Sequence, residues 1–255
     1  FQLLKAYKLH LETGKKIMLV NKFQNDFLRP KSYIETDFRD FSLIKAGFID
    51  NAIINHCKSP GFFCSLIFKF RLVKILSNKN SLSLFGNLFL DGYFISDESF
   101  GNEIQSLKDK IHQTHAIKTN QGCAIHVRAG DLLRQPENML ITKDYYKQSI
   151  EILNKKYNVH NFLIVTENIE FAESFFSDLK EEYLFEYQSS TEIDDFITLL
   201  KYEFLICANS TFSWIAGLLG ECKLFISTEY FYKPGDRPKK LNKEKVLKFD
   251  GSEVS

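Results

Sequence analysis

The sequence predicts an α/β protein whose C-terminal half is built on a parallel β-sheet. Beyond residue 123, short apolar runs of strand length alternate with longer segments of helical periodicity. These runs are continuously apolar, which is typical of parallel strands covered by helices on both faces. A polar stretch at 119–122, ending in glycine, precedes the first of them and has the composition of a linker. We therefore predict an N-terminal domain over 1–118 and a C-terminal domain over 123–255.

Composition and charge exclude several classes of protein. The chain has 255 residues, 44% of them hydrophobic, which is enough to bury a core of ordinary size. A net charge of +1 gives no broad electrostatic footprint for nucleic acid. The five cysteines show no C-x-x-C spacing, which favours reduced thiols over disulfides or a zinc knuckle. We expect a cytoplasmic protein that has no nucleic-acid partner.

The opening of the N-terminal half has the pattern of a helix followed by a strand. Apolar residues recur at helical spacing up to Gly14, and residues 16–20 form a buried strand pattern. This pair matches the last two elements of a β-α-β unit. Because the chain begins at Phe1 inside the helical pattern, we expect a missing N-terminal segment. Whether that segment carries an anchor stays open.

The rest of the N-terminal half has weaker signals. Aromatic and basic residues alternate over 62–76, which predicts an amphipathic helix packed on the core. The alternative for this segment is a face that contacts an acceptor or a membrane surface, and the second of these would make the protein peripheral to the inner membrane. A short strand-like run follows at 88–96, and then a polar helix at 97–118.

In the C-terminal half the two periodicities alternate regularly. Each element is assigned from its length and its apolar spacing. The predicted strands are 123–127, 162–165, 184–187, 204–208 and 223–226, and the predicted helices are 143–157, 169–179, 194–201 and 211–219.

The first candidate site follows strand 123–127, in the stretch "HVRAGD". Ligands of doubly wound sheets bind outside the carboxyl ends of the strands. A period of two places His126 and Arg128 on one face, and Gly130 turns the chain to present Asp131. The planar guanidinium of arginine binds two phosphate oxygens at once. The alternative is a structural Arg128–Asp131 pair beside a core histidine.

The second candidate site follows strand 204–208, where Asn209, Ser210 and Thr211 separate it from the next helix. Ser210 or Thr211 is a suitable N-cap. Backbone N–H groups and hydroxyls at such a helix start can bind an anion. The alternative is a helix cap without a ligand.

The third candidate site consists of acidic residues. Glu167 follows strand 162–165 and could accept from the N–H edge of guanine or from ribose hydroxyls, or it is a solvated loop residue. Asp194 and Asp195 open a helix, where acidic side chains complement the helix dipole. We keep Asp195 as a candidate nucleotide contact. No cluster of His, Cys and carboxylates has metal-ligand spacing, so we expect no metal requirement and no cofactor.

Two motifs resemble those of the α-1,2-fucosyltransferases, family 11 of the glycosyltransferases. "HVRAGD" resembles their H-x-R-R-x-D motif, and "NSTFSW" resembles N-S-T-F-S-W-W. "DGYFISDESF" is similar to their G-Y-F-Q segment, and "DDFITLLKYEFLICANSTFSW" has their order of acidic helix, strand and polar turn. The opening resembles the end of their G-N-Q-x-F-Q helix. The departures are Ala129 for the second arginine, Ile215 for the second Trp, and the absent glycine-rich loop.

This resemblance implies a GT-B fold, in which two Rossmann-like domains face each other across a cleft. It implies an inverting enzyme that moves L-fucose from GDP-fucose to the 2-hydroxyl of a galactoside in a glycan, without a metal. The alternative is a degenerate transferase that only binds a sugar nucleotide or glycan. In the implied site, Arg128 contacts the diphosphate, His126 and Asp131 shape that contact with Asp131 the candidate base, Asn209, Ser210 and Thr211 line the phosphates and sugar, and Glu167 contacts guanine.

Overall fold

The computed structural model describes residues 11–12, 14, 17–20, 54–57, 73–76, 87–90, 102–128, 141–230 and 240–254. The chain divides into two compact units, residues 1–114 and residues 115–255. Within the described ranges, no helix has both the length and the apolar character needed to cross a membrane.

In the first unit, the described strands form two parallel pairs. Strand β1 (Ile17–Val20) pairs with β2 (Ile54–Cys57), and β3 (Val73–Leu76) pairs with β4 (Asn87–Leu90). The predicted strand at 16–20 is confirmed over 17–20 as β1, and residue 16 lies outside the described residues.

The end of the helix predicted at 62–76 is wrong, because its last four residues form β3. The sequence there, Val-Lys-Ile-Leu, is mostly apolar, and its β-branched residues Val73 and Ile75 suit a strand. The other residues of that prediction, and residues 91–96 of the strand-like run, lie outside the described residues. Helix α1 (Asn102–His115) lies within the predicted helix 97–118.

The second unit alternates strands and helices as the sequence predicts. Its elements are β5 (Asn120–Val127), α2 (Lys143–Tyr157), β6 (Asn161–Thr166), α3 (Ile169–Phe175), a 3-10 turn (Ser177–Leu179), β7 (Leu184–Gln188), α4 (Glu192–Leu200), β8 (Tyr202–Ile206), α5 (Thr211–Leu219), β9 (Leu224–Thr228) and β10 (Glu244–Leu247).

These strands form one six-stranded sheet in the order β10-β9-β8-β5-β6-β7. Every neighbouring pair in it is parallel. The chain moves outward from β5 through β6 to β7, returns to place β8 on the other side of β5, and continues to β10. The direction of winding therefore reverses between β5 and β8, and such a reversal leaves a crevice at the carboxyl ends of the two strands.

The two faces of this sheet have different packing partners. On one face, alternate strand residues such as Ile125, Ile164 and Ile206 join Tyr145 and Ile150 of α2 in a buried apolar cluster. The other face is packed by α5, whose first turn places Phe212 against His126 and whose Trp214 lies edge-on to Phe225. The period-two assignment of β5 is therefore confirmed: His126 lies on the face opposite Ile125.

The predicted linker at 119–122 is wrong for three of its four residues, since Asn120 to Gly122 belong to β5. Asn120 donates its backbone N–H to the carbonyl of Lys201 at 2.6 Å. Gly122 has φ 94°, where the register with β8 shifts, and a Cβ there would lie 3.0 Å from the carbonyl oxygen of Asn161. Glycine serves here as a strand irregularity and not as a linker.

Two further differences from the predicted elements have clear causes. The helix predicted at 169–179 ends at Phe175, because the fully buried Phe176 leaves helical geometry and a 3-10 turn completes the segment. Strand β10 was not predicted, since its sequence Glu-Lys-Val-Leu has only two apolar residues.

Candidate functional site

The carboxyl end of β5 carries an imidazole and a guanidinium. The His126 side chain is only 8% exposed, and its ring centroid lies 5.4 Å from that of Phe212. Its backbone carbonyl accepts a hydrogen bond from the hydroxyl of Tyr146 at 3.1 Å, which ties the strand end to α2. Arg128 is the first residue after β5, and it is half-buried. The strand end is thus fixed from both faces of the sheet.

The electrostatic environment of His126 keeps its imidazole neutral. Burial, and to a smaller extent the positive charge of Arg128, lower the pKa of His126 from 6.5 to about 3. Within the described part of the chain, its buried Nδ1 has no hydrogen-bond partner. A group with so low a pKa is a weak base at neutral pH. His126 therefore suits packing or hydrogen bonding to a ligand better than proton abstraction.

The turn after β8 is buried and its backbone is fixed by hydrogen bonds. Asn209 is 2% and Ser210 6% exposed. The Ser210 hydroxyl caps α5 by accepting the N–H of Phe212 at 3.2 Å, and its backbone N–H donates to Ala208 at 2.7 Å. Thr211 is the first residue of the helix. The capping predicted for this turn is confirmed, with Ser210 as the N-cap.

The sheet brings these two strand ends together. Strands β5 and β8 are paired in register, with Ile125 beside Ile206, and Phe212 of α5 reaches His126. The N-terminus of α5, where a helix carries partial positive charge, therefore lies at the same edge as Arg128. The individual roles of these residues remain predictions.

Tyr145, which sequence reasoning missed, supports the turn from the opposite face. Its hydroxyl donates to the carbonyl of Cys207 at 2.8 Å, and the carbonyl of Ile226 lies 3.3 Å away. Cys207 in turn donates its N–H to Ile226 at 2.8 Å. These bonds fix the backbone of Cys207, two residues before Asn209. A tyrosine at a buried position of α2 carries no sequence signal for this contact.

Acidic residues gather at the neighbouring ends of β6 and β7. Glu167 is exposed, whereas Asp195 is half-buried. The side-chain amide of Gln188 donates to Asp195 Oδ1 at 2.8 Å and to Thr198 Oγ1 at 3.0 Å. Burial raises the pKa of Asp195, and the negative charges of Asp194 and Glu167 raise it further. Glu167 and Asp195 therefore lie close enough for their charges to interact.

Asp194 and Asp195 have different surroundings although they are adjacent. Asp194 accepts the hydroxyl of Thr191 at 2.7 Å, and its own N–H is capped by that hydroxyl at 3.2 Å. The structural interpretation, an acid in the first turn of a helix, fits Asp194. Asp195 instead lies beside Gln188, at the edge where Glu167 is found.

Two predictions on the site have no test here. Asp131 lies outside the described residues, so its pairing with Arg128 stays a prediction. Across the described ranges, no group of three or more His, Cys, Asp or Glu side chains could hold a metal ion.

Comparisons with known proteins found a family model, a relative and a solved structure that resemble this chain. A family model described as "Glycosyl transferase family 11" matches residues 69–232. The chain is 23% identical over 244 residues to an alpha-1,2-colitosyltransferase of Escherichia coli, covering 84% of this chain and 81% of that protein. A crystal structure of POFUT1 in complex with GDP matches with 12% identity and a TM-score of 0.32, over 72% of this chain and 62% of that one.

The family match spans more than half of the chain and includes both strand ends of the crevice. The chain therefore belongs to glycosyl transferase family 11. Glycosyl transfer is the class of reaction that this membership assigns to it.

Proposed function

We propose that this protein is an inverting transferase that moves L-fucose from GDP-fucose to the 2-hydroxyl of a galactoside in a glycan. The observation that carries the proposal is the crevice between β5 and β8, where Arg128 and the N-terminus of α5 lie at one edge of the sheet. Family membership supports a sugar-nucleotide donor, and the relative's alpha-1,2 linkage supports the 2-hydroxyl. The proposed fold is GT-B, with the first unit on the acceptor side.

The diphosphate is the part of the donor that this crevice suits best. During transfer the acceptor oxygen bonds to the anomeric carbon, the bond from that carbon to the β-phosphate oxygen breaks, and GDP leaves with the electron pair. Negative charge therefore grows on the β-phosphate. The fixed cation of Arg128 and the first-turn amides of α5 would stabilise that charge without reorganising.

The proton of the acceptor hydroxyl needs a base other than His126. The pKa of His126, lowered to about 3 by burial and by Arg128, makes its imidazole a poor acceptor at neutral pH. Asp131 remains the candidate base of the proposal. The alternative role for Asp131 is to orient Arg128.

At the nucleobase end, we propose that Glu167 and Asp195 accept the N–H groups of guanine. Two carboxylates at the ends of adjacent strands offer more than one acceptor to a base edge that carries two donors. Gln188 holds Asp195 in a defined position through its 2.8 Å hydrogen bond. Uracil offers no comparable pair of donors, so this arrangement favours GDP over UDP.

A second donor sugar is favoured by one comparison. The relative from Escherichia coli is named a colitosyltransferase, and colitose is L-fucose lacking one ring hydroxyl. GDP-colitose is therefore the second candidate donor. No described residue distinguishes the two sugars, because the phosphate and base contacts are common to both.

The test is transfer by the full chain, measured as GDP release and as glycosylated product, with mixed galactosides as acceptors. Faster turnover with GDP-fucose supports the main proposal, and faster turnover with GDP-colitose supports the second. Binding of GDP without turnover of either donor would favour the non-catalytic alternative, a sugar-nucleotide or glycan-binding protein. We further propose a cytoplasmic enzyme that requires no metal or cofactor.

A further inference from the structure

A buried carboxylate on β10 is hydrogen-bonded to the helix that starts at the crevice. Glu244 is 3% exposed. Its Oε1 accepts the indole N–H of Trp214 at 2.9 Å and the hydroxyl of Ser227, and its Oε2 accepts the backbone N–H of Leu241 at 3.0 Å. A carboxylate removed from water needs donors for its oxygens, and these three supply them. Glu244 also lies beyond the stretch that the family model matches.

Trp214 connects this carboxylate to the start of α5. Its side chain is fully buried and lies edge-on to Phe225, with ring centroids 6.3 Å apart. Its backbone N–H donates to the carbonyl of Ser210, the N-cap, at 3.1 Å. The same residue therefore closes the first turn of the helix with its backbone and reaches β10 with its side chain.

Apolar packing holds α5 close to β9. A Cβ on Gly217 would lie 2.8 Å from Cγ of Phe225, so the helix has no room to move closer to the sheet. Apolar contact is non-directional, whereas a hydrogen bond constrains both distance and angle. The bond from Trp214 to Glu244 is thus a directional contact between the first turn of α5 and β10.

Glu244 also lies near the residue that leads into the turn. Burial, and after it the charge of Glu244, raise the pKa of the Cys207 thiol. Cys207 is two residues before Asn209, and its backbone is bonded to Ile226 and Tyr145. The carboxylate therefore lies close to both sides of the turn, the end of β8 and the first turn of α5.

We propose that Glu244 is a positioning residue of the phosphate site. Through the indole of Trp214 it sets the rotation of α5, and with it the direction of the first-turn N–H groups toward the diphosphate. This inference rests on the proposed function, because it takes a nucleoside diphosphate as the ligand of that turn.

Two substitutions of equal length separate the hydrogen bond from the volume of the side chain. Glu244→Gln keeps an oxygen that can accept from Trp214, whereas Glu244→Met fills a similar space without it. We expect Glu244→Met to weaken GDP binding by about tenfold and Glu244→Gln to change it by less than about threefold, measured by calorimetry on the full chain. If Glu244→Met does not fold, Trp214→Phe removes the same bond and leaves the other donors of Glu244 in place.

The chain's only tryptophan provides a second readout. We expect GDP to change the fluorescence of Trp214 in the wild type and in Glu244→Gln, and to change it less in Glu244→Met at saturating GDP. The matched control is Leu153→Ala, a fully buried position in the second half of α2. It should lower the melting temperature and leave GDP affinity unchanged, because a loss of stability alone does not rotate α5.

The outcomes separate this inference from the proposed function. A wild-type chain without affinity for GDP would overturn both. A wild-type chain that binds GDP, together with a folded Glu244→Met protein of equal affinity, would overturn the positioning role alone. Equal losses of affinity in Leu153→Ala and Glu244→Met would also overturn it, since stability would then explain the effect.

Discussion

The crevice between β5 and β8 and the acidic edge beyond β6 and β7 differ in how they are built. In the crevice, His126 and Ser210 are buried and held by backbone bonds and aromatic packing. At the acidic edge, Glu167 is exposed, and Asp195 is held by the side chain of Gln188. In the proposed function the crevice receives the phosphates, where charge develops, and the edge receives the base. Cleavage of the bond to the sugar would thus depend on the buried crevice, and nucleotide choice on the more exposed acidic edge.

Substitution of Arg128 is the change that would break this comparison most directly. Arg128→Lys keeps the charge but loses the planar pair of donors, and we expect kcat to fall by about 10²-fold, as for removal of one preorganised donor. Arg128→Ala should lose more. The measurement is kcat and KM for the donor, with thermal stability determined on the same samples.

A purely structural Arg128 gives a different result. If it only pairs with Asp131, both variants lose melting temperature, and activity follows the folded fraction. A folded Arg128→Lys enzyme with near-normal kcat would contradict the assignment of the crevice as the phosphate site.

The burial of His126 predicts a pH dependence of the free energy of unfolding. The pKa of His126 is lowered by burial from 6.5 to about 3. Between these values the unfolded chain binds a proton that the folded chain does not, so stability falls as the pH falls from 6.5 toward 3. The slope from this residue is about 1.4 kcal/mol per pH unit. Urea unfolding of wild type and His126→Asn across this range measures it as the difference between two curves.

In this experiment, the variant should show a shallower loss of stability on acidification than the wild type. Parallel curves would mean that His126 reaches water in the folded protein. The end of β5 would then be as accessible to water as the acidic edge.

The acidic edge should control nucleotide choice. We expect GDP to bind at least about tenfold more tightly than UDP, which is about 1.4 kcal/mol. Glu167→Gln and Asp195→Asn should reduce this preference and leave kcat at saturating donor largely unchanged. Glu170→Gln, an exposed acid in the first turn of α3, is the matched control. Equal affinity for GDP and UDP in the wild type would remove both carboxylates from the proposed site.

The smallest expected effect is that of metal removal. If Arg128 and the start of α5 meet the diphosphate charge, activity should persist in EDTA at its value in buffer alone. Loss of activity on chelation, restored by Mn²⁺, would show that the crevice needs a cation that its residues do not supply.

The sequence was most informative where local and tertiary requirements coincide. Helix α2 was predicted to the residue from its length and apolar spacing. In the structure Thr142 caps its start and Asn158, at φ 57°, ends it. An N-cap at Ser210 or Thr211 was also predicted, and the structure identifies it as Ser210. The role of Gly122 was predicted wrongly. It ends a polar stretch with the composition of a linker, but it lies in a strand.

The parts that could not be predicted depend on contacts between distant residues. Glu244 meets Trp214 across 30 positions of sequence, and Tyr145 meets Cys207 across 62. A glutamate flanked by lysines is typical of a solvated surface, and nothing local shows that β10 buries it. The pKa of His126 likewise depends on Phe212 and the rest of α5 covering the strand.

The reversal of winding between β5 and β8 has a consequence for how the protein is made. Ile125 and Ile206 are neighbours in the sheet, yet β6, β7 and three helices lie between them in the chain. Contacts between distant segments form slowly, because the intervening loop must first lose its entropy. On the ribosome the crevice can close only after β8 and α5 have emerged. Affinity for GDP would therefore be among the last properties this domain acquires, and its appearance would mark the completion of folding.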